Sequence, residues 1–181
     1  MLEVMLGTAL RARGLEAHVH SAGVWEPGHP ASPHSVSEAG DRGLDLAGHR
    51  SRVIDPDLVE AADLVLGLAR EHVREVAGLV PAAFPRTFTI KELVRRGRAL
   101  GPRRPEQPLD QWLATVGDGR QAATYLRPDP DDDVADPIGG TRGQYARTAV
   151  ELEELSAALA GLLAAPSITP LSLDFGAPTS P

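Results

Sequence analysis

The chain has 181 residues, of which 42% are hydrophobic, and it carries a formal net charge of -7 and no cysteine. This length favours one domain with a substantial core over two domains, and the negative charge excludes a general attraction to nucleic acid or anionic membranes. The absence of cysteine excludes disulfides, Cys-ligated zinc and a thiolate nucleophile within these residues. With no long apolar run and no signal-like N-terminus, we predict a cytoplasmic protein with no nucleic-acid or membrane partner.

The N-terminal part of the chain combines helical and strand patterns. Apolar residues on one stripe predict a helix over residues 1–13, and Gly14 follows as a stop. The alternating stretch HVHSAGV, residues 18–24, predicts a short strand. A second helix is predicted over residues 33–42, and the glycine and polar residues of 44–52 predict a loop.

Two further strands flank a helix in the middle of the chain. Pro56 after Asp55 predicts a helix start with a carboxylate cap. The apolar run 64–68 predicts a buried strand, 70–79 a helix and 87–90 another strand. Strands that alternate with helices predict a parallel sheet in an α/β fold.

The C-terminal part begins with a run, residues 95–108, that is rich in Pro, Gly and Arg. This composition predicts a surface insertion, and its arginines leave open an anion-binding flap or a nucleic-acid contact. Helices are predicted over 109–116 and 145–163. The Pro-, Ser- and Thr-rich residues 166–181 predict a disordered tail, so that one domain covers 1–165.

The acidic stretch that leads into Asp136 and Pro137 carries the sharpest local pattern, DDVADPIGG. A residue before proline is pushed toward an extended backbone, which can hold the Asp136 carboxyl ready to protonate a leaving group. The same pattern also fits an ordinary turn. The carboxylates of 129–133 fit either Mg²⁺ binding or a solvated acidic loop.

Ser21 and His49 are two further candidate site residues. Ser21 lies at the carboxyl end of a predicted strand, where open α/β sheets bind their ligands, although a serine at a strand end is more often a turn residue. His49 fits a general base, a metal ligand, a donor that braces a loop, or a solvated loop residue. Since the other five histidines, His18, His20, His29, His34 and His72, show no metal-ligand spacing, we predict no metal.

Three blocks in register closely resemble the low-molecular-weight protein tyrosine phosphatase family: SAGVWEPGHPASPHSVSEAGDRGLDLAGHRSR, EAADLVLGLAREHVREV and DVADPIGG. With the C-terminal helix, the resemblance extends from Met1 to about Leu163. It implies a three-layer α/β/α fold of the flavodoxin-like type around a parallel sheet. It also implies a hydrolase of phosphoric monoesters that acts on a phosphorylated protein or a small aryl phosphate and uses no cofactor.

The resemblance assigns roles to individual residues. Family members open with a strand and a phosphate-binding loop, C-x5-R-S-P, whose Cys attacks phosphorus and whose Arg clamps the phosphoryl oxygens. Met1 falls where the residue after that loop would be, so both groups are absent. By resemblance, Asp136 is the general acid and base, and Ser21 and His49 brace the phosphate loop. Ile138 replaces a common aromatic residue beside the substrate ring, which weakens the expectation of strict phosphotyrosine preference.

These absences predict a chain that is truncated before or within the phosphate-binding loop, is inactive as given and lacks the first, central strand of the sheet. The gene product is then expected to start upstream, and the 181 residues to be marginally stable alone. A non-catalytic remnant or binding pseudoenzyme is the alternative. An arsenate reductase of the same fold is a weaker one, because its thiol-relay type needs further cysteines.

Overall fold

The computed structural model describes residues 1–24 and 26–164, which contain seven α-helices, two β-strands and two 3₁₀ helices. The α-helices are α1 (Leu2–Arg11), α2 (Pro33–Gly40), α3 (Pro56–Ala61), α4 (Arg70–Leu79), α5 (Ile90–Leu100), α6 (Leu109–Val116) and α7 (Arg142–Leu163). The strands are β1 (Val65–Gly67) and β2 (Thr87–Thr89), and the 3₁₀ helices are Pro81–Arg86 and Ala122–Leu126. The predicted tail, 166–181, lies outside the described residues, and the single domain over 1–165 stays a prediction.

The sheet consists of β1 and β2, which lie side by side and parallel. Val65 is opposite Thr87 and Gly67 is opposite Thr89. The chain passes from β1 to β2 through α4 and the first 3₁₀ helix, as a parallel pair requires. The predicted α/β class with a parallel sheet is confirmed.

The predicted strand over 18–24 is wrong, because among the described residues this segment has a strand-like partner at Gly23 alone. Gly23 and Val53 form an isolated parallel bridge, in which the Gly23 N–H donates to the Arg52 carbonyl at 2.9 Å. A strand forms when hydrogen bonds to a neighbour continue along its length. Among the described residues, β1 also has a strand neighbour on one edge only, namely β2.

Local signals place most helices correctly. The predicted bounds of α4 and α6 are confirmed, and so is the start of α3 at Pro56. The Asp55 carboxylate caps α3, since it accepts the Leu58 N–H at 2.8 Å.

The prediction of a surface insertion over 95–108 is wrong for its first six residues, which continue α5. Gly97 is buried there, and a Cβ at this position would lie 2.8 Å from Leu162 Cδ1 and 3.2 Å from the Trp112 ring. The glycine therefore permits a close approach of α5 to α6 and α7. The arginines around Gly97 interrupt the apolar pattern in the sequence, so the pattern did not indicate a helix there.

The main core lies between the helices and β2. Its most deeply buried large side chains include Phe88, Leu93, Trp112, Leu152 and Leu159. Helix α1 packs along α7, and α5 packs on the same helix. Burial of these apolar faces is the main force that holds the short sheet against its helices. Within the described residues, no helix combines the length and hydropathy needed to cross a membrane.

Candidate active site

Ser21 and His49 converge on one carboxylate, that of Glu3 in the first turn of α1. The Ser21 hydroxyl donates to Glu3 Oε2 at 2.5 Å, and His49 Nδ1 lies 3.7 Å from the same oxygen. The side chains of His49 and Glu3 are about a quarter exposed, at 27% and 28%. The structure therefore brings together two predicted site residues that are distant in the sequence.

Glu3 is the site residue that sequence reasoning missed. Its only local signal is an acidic side chain in the first turn of a helix, where the helix dipole favours a negative charge. That signal explains the residue type but does not identify its partners. The fold identifies these partners, because it brings the 17–22 segment and the loop after α2 beside α1.

The loop that carries His49 is fixed by bonds to its own backbone and to a neighbouring loop. The Asp45 carboxylate accepts the Ala47 N–H at 2.7 Å, and the His49 N–H donates to the Leu46 carbonyl at 3.1 Å. Farther along, the Ser51 N–H donates to the His29 carbonyl at 2.8 Å. These bonds fix the backbone of the loop from which the imidazole extends toward α1.

Asp136 lies in an exposed turn, and its described hydrogen bond is separate from the contacts of Ser21 and His49 with Glu3. Its Oδ1 accepts the Ile138 N–H at 2.9 Å, which is the geometry of an Asx turn, and Gly139 continues the turn with φ 71°. The Ile138 side chain is 76% exposed. The described bonds of Asp136 are thus made within its own turn and not to Ser21 or His49.

The backbone just before Asp136 is tied to the sheet and to α7. The Val134 N–H donates to the Leu68 carbonyl at 2.7 Å, immediately after the last residue of β1. The Thr148 hydroxyl donates to the Ala135 carbonyl at 3.1 Å. The turn therefore starts at the carboxyl edge of the sheet, the edge at which open α/β folds bind ligands.

The acidic stretch 129–133 is neither a metal cluster nor a freely solvated loop at its centre. Asp132 is buried, and its two oxygens accept Arg95 Nη2 and Arg70 Nη2, each at 2.7 Å. Burial alone raises the pKa of Asp132, but hydrogen bonds and charge from Arg95 and Arg70 outweigh it and hold the pKa below its usual value. Among the described residues, no group of three or more His, Asp or Glu has the arrangement of a metal site.

Comparisons with known proteins agree with the fold and extend over most of the chain. The family model described as low molecular weight phosphotyrosine protein phosphatase matches residues 1–100. The protein-arginine-phosphatase of Bacillus subtilis (strain 168) is 29% identical over 161 residues, which are 88% of this chain and 85% of that protein. The low molecular weight protein-tyrosine-phosphatase Etp of Escherichia coli (strain K12) is 28% identical over 99 residues, 54% of this chain and 67% of that protein.

Among solved structures, the low molecular weight protein tyrosine phosphatase from T. tengcongensis superposes with a TM-score of 0.64 at 28% identity. The match covers 87% of this chain and 86% of that one. The expected type of fold, a flavodoxin-like α/β arrangement shared with this group of phosphatases, is confirmed.

Proposed function

Because the chain belongs to the low-molecular-weight phosphotyrosine protein phosphatase family, we propose that it serves the hydrolysis of phosphoric monoesters on phosphorylated proteins or small aryl phosphates. The observation that carries this proposal is the family match over residues 1–100, which spans the elements from α1 to α5. The likeness of fold to a solved phosphatase over 87% of the chain supports it.

We assign the proton transfers to Asp136. A general acid must reach the leaving oxygen, and an exposed carboxyl in a defined turn at the carboxyl edge of the sheet meets that need. In its acid form Asp136 protonates the leaving group. As a carboxylate it then takes a proton from the water that hydrolyses the phosphoenzyme.

We assign the support of the phosphate-binding loop to Ser21 and His49, with Glu3 as the group beside both. The Ser21 hydroxyl is hydrogen-bonded to the Glu3 carboxylate, and the His49 imidazole lies 3.7 Å from the same carboxylate oxygen. A phosphate-binding loop needs such support, because its backbone N–H groups must point at one centre.

The nucleophile is the missing part of this site. None of the 181 residues is a cysteine, so hydrolysis through a phosphocysteine needs a thiolate from outside these residues. We therefore propose that these residues alone do not turn over substrate. A non-catalytic protein that acts by binding is the alternative, and it predicts stabilisation by a partner without turnover.

Two substrate classes follow from the names of the relatives, phosphotyrosine and phosphoarginine in proteins. An exposed aliphatic side chain at Ile138, beside the proposed acid, does not provide the flat aromatic face that stacks on a phenol ring. This feature favours a test of phosphoarginine alongside phosphotyrosine.

The test joins a strand and a loop of the form C-x5-R-S-P in front of Met1 and compares this extended protein with the 181-residue chain. We expect hydrolysis of p-nitrophenyl phosphate by the extended protein only. Asp136→Asn should lower kcat about 100-fold or more, the usual contribution of a general acid. Turnover of phosphotyrosine and phosphoarginine proteins then identifies the substrate class.

Asp131→Asn is the matched control, because Asp131 is an exposed aspartate of the same loop. It should retain the full rate. A folded extended protein without turnover would contradict the proposed function and favour the binding alternative. Turnover by the 181-residue chain itself would contradict the assignment of the nucleophile.

A further inference from the structure

We infer that three basic residues, Arg70, Lys91 and Arg95, position Asp136 by fixing the acid loop, residues 129–135, to α4 and α5. Together they are called the basic clamp. The role of Asp136 as an acid rests on the proposed function, whereas the anchoring of the loop rests on the contacts alone.

Arg70, the first residue of α4, makes the first set of contacts. Its Nη2 lies 2.8 Å from Asp129 Oδ2 and 2.7 Å from Asp132 Oδ2. Its backbone N–H donates to Asp133 Oδ1 at 2.7 Å, at a helix terminus where N–H groups lack helical partners. One residue thus holds the carboxylates of three aspartates in the acid loop.

Arg95, on α5, makes the second contact. Its Nη2 donates to Asp132 Oδ1 at 2.7 Å, so the Asp132 carboxylate is bonded by two guanidinium groups, one on each oxygen. Asp132 is only 2% exposed. A buried carboxylate with two cationic partners on different helices can occupy few other positions without loss of both bonds.

Lys91, the only lysine of the chain, makes the third contact and binds the loop by its backbone. Its Nζ donates to the Asp133 carbonyl at 2.8 Å and to the Pro130 carbonyl at 3.2 Å. The same ammonium lies 2.6 Å from Glu151 Oε1 on α7. Lys91 therefore joins the acid loop to both α5 and α7.

The contacts of the basic clamp end at Asp133, three residues before the proposed acid. Val134 and Ala135, which follow, are bonded to Leu68 and Thr148, and the next residue is Asp136. A general acid must lie within hydrogen-bond reach of its target, so the residues that fix its backbone determine how often it does. The aspartates of the acid loop therefore act by fixing the position of Asp136, and they do not react with the substrate themselves.

The experiment measures native-state backbone motion of the 181-residue chain by ¹⁵N relaxation. In Lys91→Met, we expect the order parameters of residues 133–136 to fall from about 0.85, typical of rigid backbone, to below about 0.6. The order parameter of Leu159, in the core of α7, should not change. Lys91→Arg can still donate to the two carbonyls and should restore most of the rigidity.

A second measurement reports on Asp136 itself. The Ile138 N–H donates to Asp136 Oδ1, so its chemical shift follows the ionisation of that carboxyl. We expect the amplitude of this pH-dependent shift to fall about two-fold in Lys91→Met and in Asp132→Asn, and to remain unchanged in Asp131→Asn. A purely structural role, in which the variants lower only the global stability, would leave this native-state amplitude unchanged.

Unchanged order parameters and an unchanged Ile138 amplitude in folded Lys91→Met would overturn the inference. So would motion that rises equally at Leu159. Neither readout needs turnover. If both are unchanged while the extended protein is active, this inference alone is contradicted. If both change as expected while the extended protein is inactive, the proposed function alone is contradicted.

Discussion

The carboxylate of Glu3 accepts the hydroxyl of Ser21 at 2.5 Å and so joins the first turn of α1 to the extended segment 17–22. In the described part of the chain this segment belongs to no strand: the bridge to Val53 is made by Gly23, just beyond it, and the sheet consists of β1 and β2. The bond between the Ser21 and Glu3 side chains therefore helps to hold this segment against α1, in place of strand pairing. The relationship also gives a first prediction.

The coupling between Glu3 and Ser21 is measured by a double-mutant cycle. Glu3→Ala and Ser21→Ala should each destabilise the chain, and together by less than their sum, with a coupling of about 1 kcal/mol for a hydrogen bond to a charged group at a partly exposed site. Urea unfolding of the four proteins gives the value. Glu16→Ala, at an exposed position near the end of α1, should show no coupling to Ser21→Ala.

Gly67 at the end of β1 gives a second prediction, because it leaves no room for a side chain. A Cβ there would lie 2.9 Å from His72 Cβ and 3.1 Å from the Ala69 carbonyl oxygen. We expect Gly67→Ala to lower the free energy of unfolding by about 1 to 3 kcal/mol, the usual result of overpacking. The measurement is the denaturant midpoint.

Gly78→Ala is the matched control in α4, because nothing lies within 4 Å of a Cβ at that exposed position. It should stabilise the chain by up to about 1 kcal/mol through helix propensity. An equal loss in both variants would contradict the steric explanation for Gly67.

The sequence predicted what local physics determines. The bounds of α4 and α6 follow from apolar spacing and from Pro and Gly at their ends, and α3 follows from its Asp55 cap. The same local signals could not decide whether residues 18–24 form a strand, because a strand depends on partners that are distant in the sequence. In α5, arginine content concealed the buried side that Gly97 completes.

The candidate site shows the same division. Asp136, Ser21 and His49 were named from motifs, and their catalytic and bracing roles stay predictions. Glu3 escaped notice because its partners are 18 and 46 residues away. The acidic run could not reveal that Asp132 is buried, since Arg95 and Arg70 are 37 and 62 residues away in the chain.

A third prediction concerns Tyr125, whose hydroxyl donates to the buried Glu92 carboxylate at 2.7 Å and accepts Arg120 Nε at 2.8 Å. Tyr125→Phe should lower the free energy of unfolding by about 1 to 2 kcal/mol, because Glu92 loses a buried donor. Burial and the adjacent Glu92 raise the pKa of Tyr125 well above its ordinary value of 10.0.

The sign of the resulting pH dependence follows from that raised pKa. Above about pH 10 the unfolded chain loses the Tyr125 proton before the folded chain does, so stability falls as pH rises. Urea midpoints at pH 8, 9 and 10.5 should show this fall in the parent chain and a smaller one in Tyr125→Phe.

The final prediction concerns acid, where Asp132 is the group to test. Because Arg95 and Arg70 hold its pKa below the ordinary value of 3.8, its contribution to stability is fully present above about pH 4. It is lost as the pH falls through the lowered pKa of the folded state.

Asp132→Asn should cost about 3 kcal/mol at pH 7, since it leaves two guanidinium groups without their buried carboxylate, and the difference from the parent chain should shrink toward pH 2. Urea unfolding at pH 7, 5, 3 and 2 measures the difference, and Asp131→Asn should change stability by less than about 0.5 kcal/mol throughout. A loss in Asp132→Asn that is the same at every pH would show that the carboxylate contributes by shape and not by charge.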